Sequence, residues 1–306
     1  MKKIAYLLLV HDNPLHLKRL VNTLDLYADF YIHVDSKSDI SDFKNEFRSK
    51  KNVYFVQKRF PVFWGGFNMI EATKELLRSA TLSRTIYKRL VLLSGVDYPL
   101  ISNKKIHEFF HENNTIEYIR GFDVTNSENR HYLKQIKKYY LMDMPIPSPL
   151  INRVLKKLFQ LTIGLFNFKK PFIKIKNKKF DVFFGSQWWA ITPECANEML
   201  RIIDENKDID HYFKYSFAPD EKYFHTVFFN SSFRDRTLEN GPGVFSERGT
   251  WRWANIHHIH PSLSKWYSVS DCDEVFASKK LFIRKVNTAN SEKLLDIIDK
   301  QIQQES

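Results

Sequence analysis

The first 120 residues alternate short apolar runs with segments in which apolar residues recur every three or four positions. The apolar runs predict buried strands at 4–10, 30–34, 53–56 and 89–93. The periodic segments predict helices at 14–27, 41–49 and 68–80. Because strands and helices in this order build right-handed βαβ units, we predict an α/β fold: a mainly parallel, twisted sheet with helices on both faces.

The second half of the chain is less regular, but no linker divides it from the first. Its apolar pattern predicts an interrupted strand, two helices and a terminal helix at 180–191, 193–203, 219–229 and from Ser291. The stretch 230–266 is rich in turn residues, Trp and His. We therefore predict one domain with two halves, 1–125 and 126–306, each binding a different ligand.

The positive charge of the chain is concentrated in one stretch. The 47 Lys and Arg residues exceed the 35 Asp and Glu residues by 12, and nine of the basic residues lie between Asp143 and Asp181, where no acidic residue occurs. The segment 150–179 is interpreted either as a basic amphipathic helix that contacts an anionic membrane, or as a core-facing helix followed by a solvated basic loop. Nucleic acid is disfavoured as a partner because no RNP-like, helix-turn-helix or zinc-finger pattern accompanies the charge.

The cysteine content and the apolar runs bear on the cellular compartment. Cys195 and Cys272 are too few for a disulfide framework and lack CxxC spacing. The run 4–10 precedes no small-residue cleavage site and predicts a strand rather than a signal peptide. No window reaches the roughly 18 uninterrupted apolar residues of a membrane span. These features predict a cytoplasmic protein, with peripheral contact at the inner face of the membrane as the alternative.

Several common catalytic motifs are absent from the chain. It has no GxxxxGK followed by Ser or Thr, no GxGxxG after the first strand, no GxSxG and no HExxH. Ligands of parallel α/β sheets bind at the carboxyl ends of the strands, where Asp35 and Asp97 fall. The DxD triplets at 208–210 and 271–273 do not follow a core strand of the first half and are interpreted as chance matches. Since the strand end suited to a metal pair offers only Asp97, we predict a site without a divalent metal.

A carboxylate at the start of the helix at 219–229 is a candidate catalytic group. Pro219, Asp220 and Glu221 are ordinary helix-start residues, because proline and acidic side chains suit the first turn. The functional interpretation is that a carboxylate held there, beside the ligand edge of the sheet, takes a proton from an attacking hydroxyl.

Basic residues near the end of the chain are candidate anion ligands. Arg252, Arg284 and Lys285 flank a histidine-rich stretch at 251–261. They are interpreted either as surface charges or as cations that neutralise a departing diphosphate. The three histidines of the stretch lack a carboxylate that would complete a metal motif, so a packed or solvated cluster is favoured over a metal site.

Seven short segments together resemble one known family. They are HVDSKS (33–38), FWGG (63–66), LSGVDYP (93–99), GSQWW (185–189), APDE (218–221) with FHTV (224–227), WRW (251–253) and LFIRK (281–285). In these segments, and in their order, the chain resembles the core-2/I-branching β-1,6-N-acetylglucosaminyltransferases and the related peptide O-xylosyltransferases of glycosyltransferase family 14. The animal enzymes of this family carry many disulfides, whereas this chain has two cysteines. In this respect the chain resembles a bacterial-type, cytosolic member of the family.

The resemblance implies a GT-A-like fold and an inverting transfer of N-acetylglucosamine or xylose from a UDP-sugar, without a divalent metal. Glu221 matches the general base of the family, and Arg252 and Lys285 match the pair that holds the diphosphate. Asp35 matches a position that contacts the nucleotide. Asp97 is expected in the same nucleotide site, at the end of the fourth strand.

On this basis, the half 1–125 is expected to bind the nucleotide sugar, and the half 126–306 to bind the acceptor and supply the base. The expected walls of the sugar and acceptor site are Trp64, Gly65, Gly185, Ser186, Gln187, Trp188 and Asp220. The acceptor is expected to be a glycan, free or lipid-linked, in cell-surface polysaccharide synthesis. The alternatives are a non-catalytic membrane-surface or polyanion-binding protein with a transferase-like fold and, less favoured because no phosphate-cradling loop follows the first strand, a sulfotransferase-like enzyme.

Overall fold

Strands and helices alternate through the first half of the molecule and become short and irregular in the second. The structure, a computed structural model, describes residues 2–143, 158, 162 and 169–304. Its strands are β1 (Lys3–Val10), β2 (Ala28–Val34), β3 (Val53–Phe55), β4 (Tyr87–Ser94), β5 (Asp97–Pro99), β6 (Gly121–Asp123), β7 (Phe172–Ile175), β8 (Lys178–Asp181), β9 (Phe183–Gly185), β10 (Ala190–Ile191), β11 (His257–Ile259) and β12 (Phe282–Arg284). Its α-helices are α1 (Pro14–Thr23), α2 (Ile40–Glu46), α3 (Asn68–Thr81), α4 (Asn103–Glu112), α5 (Arg130–Lys137), α6 (Pro193–Glu205), α7 (Asp208–Phe213), α8 (Tyr223–Phe229), α9 (Cys272–Ala277) and α10 (Thr288–Gln304). Short 3-10 turns lie at Pro219–Glu221, Thr250–Trp253 and Val269–Asp271.

The central sheet has the strand order β10-β4-β1-β2-β3. Strand β1 pairs in parallel with β2 and β4, β2 pairs in parallel with β3, and β10 adds to the edge of β4 in the antiparallel direction. Parallel strands are buried on both faces, so their sequences are continuous apolar runs. This explains why the apolar runs at 4–10 and 89–93 predict strands. The predicted α/β class with a mainly parallel sheet is confirmed.

Side chains of β1 alternate between two hydrophobic cores, one on each face of the sheet. Leu7 and Leu9 belong to the core that includes residues of α3 and α6. Tyr6 and Leu8 belong to the core that includes residues of α1, α4 and α10. Successive side chains of a strand point to opposite faces, so the helices cover both faces of the sheet, as predicted.

A smaller sheet joins the two halves of the chain. Its strand order is β11-β12-β5, with β12 parallel to β11 and antiparallel to β5. This register sets Arg284 opposite Asp97. Because β5 begins shortly after β4 ends, the pairing brings the segment 284–285 of the second half to the carboxyl end of the central sheet.

The second half departs from its predicted elements in two places. The interrupted strand expected at 180–191 is divided among β8, β9 and β10. The helix expected at 219–229 is a 3-10 turn followed by α8, because the backbone of Lys222, with a φ of −132°, interrupts the helical conformation. This break fixes the preceding turn independently of the helix.

The basic segment is described only at its end. The amphipathic helix expected within 150–168 lies outside the described residues, apart from the single positions 158 and 162. The described end is an antiparallel hairpin of β7 and β8, with four exposed lysines: Lys174, Lys176, Lys178 and Lys179. Within the described ranges, the helices are too short or too polar to cross a bilayer.

Candidate functional site

A cleft opens where β1, β2 and β4 end. It comprises a cavity of about 450 Å³, lined by strand-end residues such as Val10 and Ser94, and an adjoining cavity of about 170 Å³. The residues common to both linings are Trp64, Met69, Gln187, Trp188, Arg284 and Lys285. The shared lining makes the two cavities one continuous site, at the sheet edge where parallel α/β proteins bind ligands.

Glu221 lines the smaller cavity at the end of a tight turn. Ala218, with a φ of 42°, precedes this turn, and its backbone N–H donates a hydrogen bond to the carbonyl oxygen of Gly65 at 3.1 Å. The ammonium group of the fully buried Lys222 donates to the carbonyl oxygen of Ala218 at 3.1 Å. These contacts hold the Glu221 backbone against the loop that carries residues 63–66.

The surroundings of Glu221 favour its protonated form. Burial raises the pKa of Glu221 to about 7. The Lys222 ammonium and a hydrogen bond from the Thr250 side chain oppose this rise, whereas the Asp220 carboxylate adds to it. A carboxyl group whose pKa lies near the working pH is suited to general base catalysis, because enough of it is ionised and the ionised form is still basic.

The raised pKa of Glu221 predicts the pH dependence of activity. A general base must be deprotonated, so kcat/KM should rise with pH, with its midpoint at about pH 7 where half of Glu221 is ionised, and level off above about pH 8. The measurement is kcat/KM between about pH 5 and about pH 9. In Asp220→Asn the loss of a neighbouring negative charge should move the midpoint to lower pH. A kcat/KM that is constant across this range would contradict the assignment.

Arg284 and Lys285 bring two positive charges to the wall shared by both cavities. The Arg284 guanidinium lies 4.3 Å from the centre of the Trp188 ring. Burial and the Arg284 charge both lower the pKa of Lys285. Adjacent cations that face one cavity are suited to bind a phosphate or diphosphate. Since Glu221 lines the same cleft, a carboxylate base and an anion site occur together.

The two strand-end aspartates have different positions. Asp35 lines the larger cavity, and its carboxylate accepts hydrogen bonds from the backbone N–H and the ammonium group of Lys37, at 2.9 Å and 2.5 Å. Asp97 is fully buried and does not line either cavity; it is hydrogen-bonded to Arg284 and to the backbone N–H of Ser94. The structure thus brings Asp35 to the cleft, whereas Asp97 lies behind it and contacts a residue that lines it.

Most of the expected wall residues line the cleft. They are Trp64, Gly65, Ser186, Gln187, Trp188 and Asp220. Gly185 does not line it, and its role is one of packing. A Cβ atom at Gly185 would lie 2.1 Å from the carbonyl oxygen of Arg120 and 2.4 Å from the buried ring of His225. Glycine is therefore needed for β9 to pair closely with β6.

Arg252 also lies outside both linings. Its guanidinium forms an ion pair with the Glu247 carboxylate and lies 4.3 Å from the centre of the Trp251 ring. In the described structure the residue beside Lys285 at the cleft is Arg284, not Arg252. The resemblance pointed to Arg252, and the position of Arg284 emerges only from the pairing of β12 with β5.

His33 lines the larger cavity, although the sequence assigns it no role. Its Nε2 atom accepts a hydrogen bond from the backbone N–H of Phe60 at 2.9 Å, and burial lowers the pKa of His33 to about 4. The ring is therefore neutral and fixes the loop after β3. Its place beside Asp35 within the segment 33–38 is the signal that could have identified it.

The candidate metal motifs do not converge in the described structure. His258 pairs with Glu274 at 3.0 Å, and Asp210 pairs with Lys74 at 3.1 Å. Asp271 accepts a hydrogen bond from a lysine. Within the ranges that the structure describes, no group of three or more His, Cys, Asp or Glu side chains could hold a metal ion.

A parallel sheet with a carboxylate and two cations facing one cleft at its strand ends is typical of an enzyme that acts on phosphorylated ligands. Comparison with protein families defines the class further. The family described as Core-2/I-Branching enzyme matches residues 4–277, and the chain belongs to this family.

Individual relatives share low sequence identity with the chain. It is 22% identical over 310 residues to a mouse protein named N-acetyllactosaminide beta-1,6-N-acetylglucosaminyl-transferase, covering 92% of this chain and 68% of the mouse protein. It is 25% identical over 248 residues to the xylosyltransferase of Ciona intestinalis and 24% identical over 246 residues to human xylosyltransferase 2, covering 78% of this chain each time. The chain spans about a quarter, 26%, of the length of these two xylosyltransferases. The crystal structure of mouse xyloside xylosyltransferase 1 in its apo form matches with 14% identity and a TM-score of 0.34, over 74% of this chain and 81% of that one.

Proposed function

We propose that the protein is an inverting glycosyltransferase that moves a sugar from a UDP-sugar to a hydroxyl group of a glycan acceptor. The observation that carries the proposal is that Glu221, Arg284 and Lys285 line one cavity. Membership of the branching-enzyme family supports the same chemistry. N-acetylglucosamine and xylose are the sugars to test first, because the relatives are named for these two transfers.

The proposed reaction is a single displacement. The nucleotide lies along the strand ends near Asp35, and the diphosphate meets Arg284 and Lys285. The Glu221 carboxylate takes the proton from the acceptor hydroxyl as its oxygen forms a bond to the anomeric carbon. The bond between that carbon and the phosphate oxygen breaks, and UDP leaves with the electron pair. Attack opposite the leaving group inverts the anomeric configuration, and the two cations stabilise the charge that develops on UDP.

A panel of UDP-sugars tests this proposal directly. We expect UDP-N-acetylglucosamine or UDP-xylose to raise the thermal midpoint and to be hydrolysed slowly in the absence of acceptor, because a ligand that binds only the folded state stabilises it. ADP-sugars at equal concentration are the matched control. If no nucleotide sugar stabilises the protein, the alternative of a non-catalytic polyanion-binding protein with a transferase-like fold is favoured.

We propose that the reaction needs no divalent metal, because side-chain cations meet the leaving group. Turnover is expected to be unchanged, within about twofold, after treatment with EDTA, since Arg and Lys can supply the stabilising charge. The assay compares initial rates with EDTA, with added Mn²⁺ and with neither. Loss of turnover in EDTA with recovery in Mn²⁺ would contradict this part of the proposal.

We further propose that the protein is cytoplasmic and contacts the inner face of the membrane through the segment 150–179, where a lipid-linked acceptor for cell-surface polysaccharide would lie. The nine basic residues between Asp143 and Asp181, a stretch without an acidic residue, support the idea, and the chain enters this stretch close to the cleft. The Asp143 carboxylate accepts a hydrogen bond from the backbone N–H of Phe67 at 2.6 Å, close to Gly65 at the cleft.

Sedimentation with vesicles tests the membrane contact. Anionic vesicles should bind the protein and neutral vesicles should not, with binding lost as salt is raised. A variant in which the four exposed hairpin lysines are replaced by glutamine should bind more weakly, by about 1 kcal/mol for each lysine near the surface. Equal sedimentation with anionic and neutral vesicles would reject the contact.

A further inference from the structure

A buried carboxylate lies directly behind the cation wall of the cleft. Asp97 is 0% exposed, and its Oδ1 atom accepts a hydrogen bond from Nη1 of Arg284 at 2.8 Å. Its Oδ2 atom accepts from the backbone N–H of Ser94 at 2.6 Å. The Arg284 Nη1 group also donates to the hydroxyl oxygen of Ser94. The Nη1 group of the guanidinium is thus bound at the end of β4, beneath the cleft.

The other contacts of Arg284 leave part of its guanidinium available. One face lies 4.3 Å from the centre of the Trp188 ring. Within the described part of the chain, neither Nε nor Nη2 makes a hydrogen bond, although Arg284 lines both cavities. A guanidinium that is hydrogen-bonded through Nη1 and lies against an aromatic ring can rotate little. Its remaining donors keep a fixed direction.

The negative charge of Asp97 is maintained chiefly by Arg284, with a smaller contribution from His257. Burial alone would raise the pKa of Asp97, but the Arg284 guanidinium lowers it to about 2. Another ionisable neighbour is His257, whose Nε2 atom lies 3.5 Å from Oδ2. Burial lowers the pKa of His257, and the contact with Asp97 opposes this shift.

We propose that Asp97 is a positioning residue that fixes the Arg284 guanidinium in the orientation required to meet the leaving diphosphate. This inference rests on the proposed function and extends it to a group that touches neither nucleotide nor sugar. Without the Asp97 charge, Arg284 keeps its positive charge and still attracts the diphosphate. Its donors, however, must then reorganise while charge develops on the leaving oxygen, and preorganised donors are the ones that accelerate a reaction.

The consequence is a separation of turnover from binding. Asp97→Asn should lower kcat by about 10- to 100-fold, the effect of losing one well-placed charged hydrogen bond in the transition state. The Kd for UDP should change by less than about threefold, because the cation remains. A residue that only stabilises the fold would lower the thermal midpoint without separating kcat from Kd in this way.

A double-mutant cycle tests the inference. The cycle compares wild type, Asp97→Asn, Arg284→Gln and the double variant for kcat, for the Kd of UDP and for the thermal midpoint. If Asp97 acts through Arg284, then Asp97→Asn should change kcat by less than about threefold in the Arg284→Gln background, because the effects of coupled residues are not additive. An equal loss of kcat from Asp97→Asn in both backgrounds would overturn the inference.

Two further arms keep the test decisive. Ser94→Ala removes the hydroxyl acceptor of Arg284, which also accepts from the backbone N–H of Val96 at 3.2 Å. It replaces Asp97→Asn in the cycle if that variant fails to fold, and it should lower kcat less, with the same dependence on Arg284. Wild-type protein without UDP binding or turnover would reject the proposed function and the inference with it. Wild-type turnover with additive effects would reject the role of Asp97 alone.

Discussion

Glu221→Gln is expected to lower kcat by about 100- to 10,000-fold, the contribution of a positioned general base. The amide is nearly isosteric with the carboxylate but cannot accept the acceptor's proton. The Kd for UDP should change by less than about threefold, because the diphosphate ligands are untouched. Single-turnover transfer assays and UDP titration measure the two quantities separately.

Asp220→Asn is the matched control for this variant. Asp220 is adjacent in sequence and lines the same cavity, but the resemblance assigns the role of base to Glu221. Asp220→Asn should therefore retain much more activity than Glu221→Gln. If Glu221→Gln keeps full activity, or if Asp220→Asn loses more activity than Glu221→Gln, then Glu221 is not the general base.

Arg284→Gln is expected to lower kcat/KM by about 10- to 150-fold, corresponding to the loss of a hydrogen bond to a charged group. Lys285→Gln should have an effect in the same range. Arg252→Gln should change kcat/KM by less than about threefold, because its ion pair with Glu247 is largely exposed and such pairs contribute little. Steady-state rates at limiting UDP-sugar measure all three variants.

The comparison of Arg284 with Arg252 decides between the described geometry and the resemblance by sequence. The resemblance assigned the diphosphate to Arg252 and Lys285, whereas the described cleft is lined by Arg284 and Lys285. A larger loss in Arg252→Gln than in Arg284→Gln would mean that the Arg252 side chain leaves Glu247 and turns to the ligand when it binds.

The sequence predicts the central sheet well because each of its long strands is visible as a continuous apolar run. Strands β1 and β4 each bury side chains on both faces, so their apolar runs are long and unbroken. Strands β5, β11 and β12 are three residues long and have no such pattern. The small sheet depends on pairing between Asp97 and Arg284, which are 187 residues apart in the chain. A local pattern cannot encode so distant a contact, which is why Arg284 was not distinguished from Arg252.

The environment of the candidate base, Glu221, also depends on contacts that no local sequence pattern shows. From spacing alone, Glu221 is an ordinary acidic residue near a helix start. The structure adds the left-handed Ala218, its hydrogen bond to Gly65 and the break at Lys222, and it places Glu221 in the lining of the cleft. The burial that raises the pKa of Glu221 comes from elements distant in sequence. The residue type is readable from the sequence, whereas its environment is a property of the fold.

A crystal structure of Glu221→Gln with a bound UDP-sugar would show which side chains hold the diphosphate and which faces the anomeric carbon. We predict the diphosphate oxygens within about 3 Å of the side-chain nitrogens of Arg284 and Lys285, no divalent ion on the diphosphate, and the anomeric carbon in the smaller cavity facing the side chain at position 221. A diphosphate held by a divalent ion, by Arg252 or outside this cleft would contradict the account.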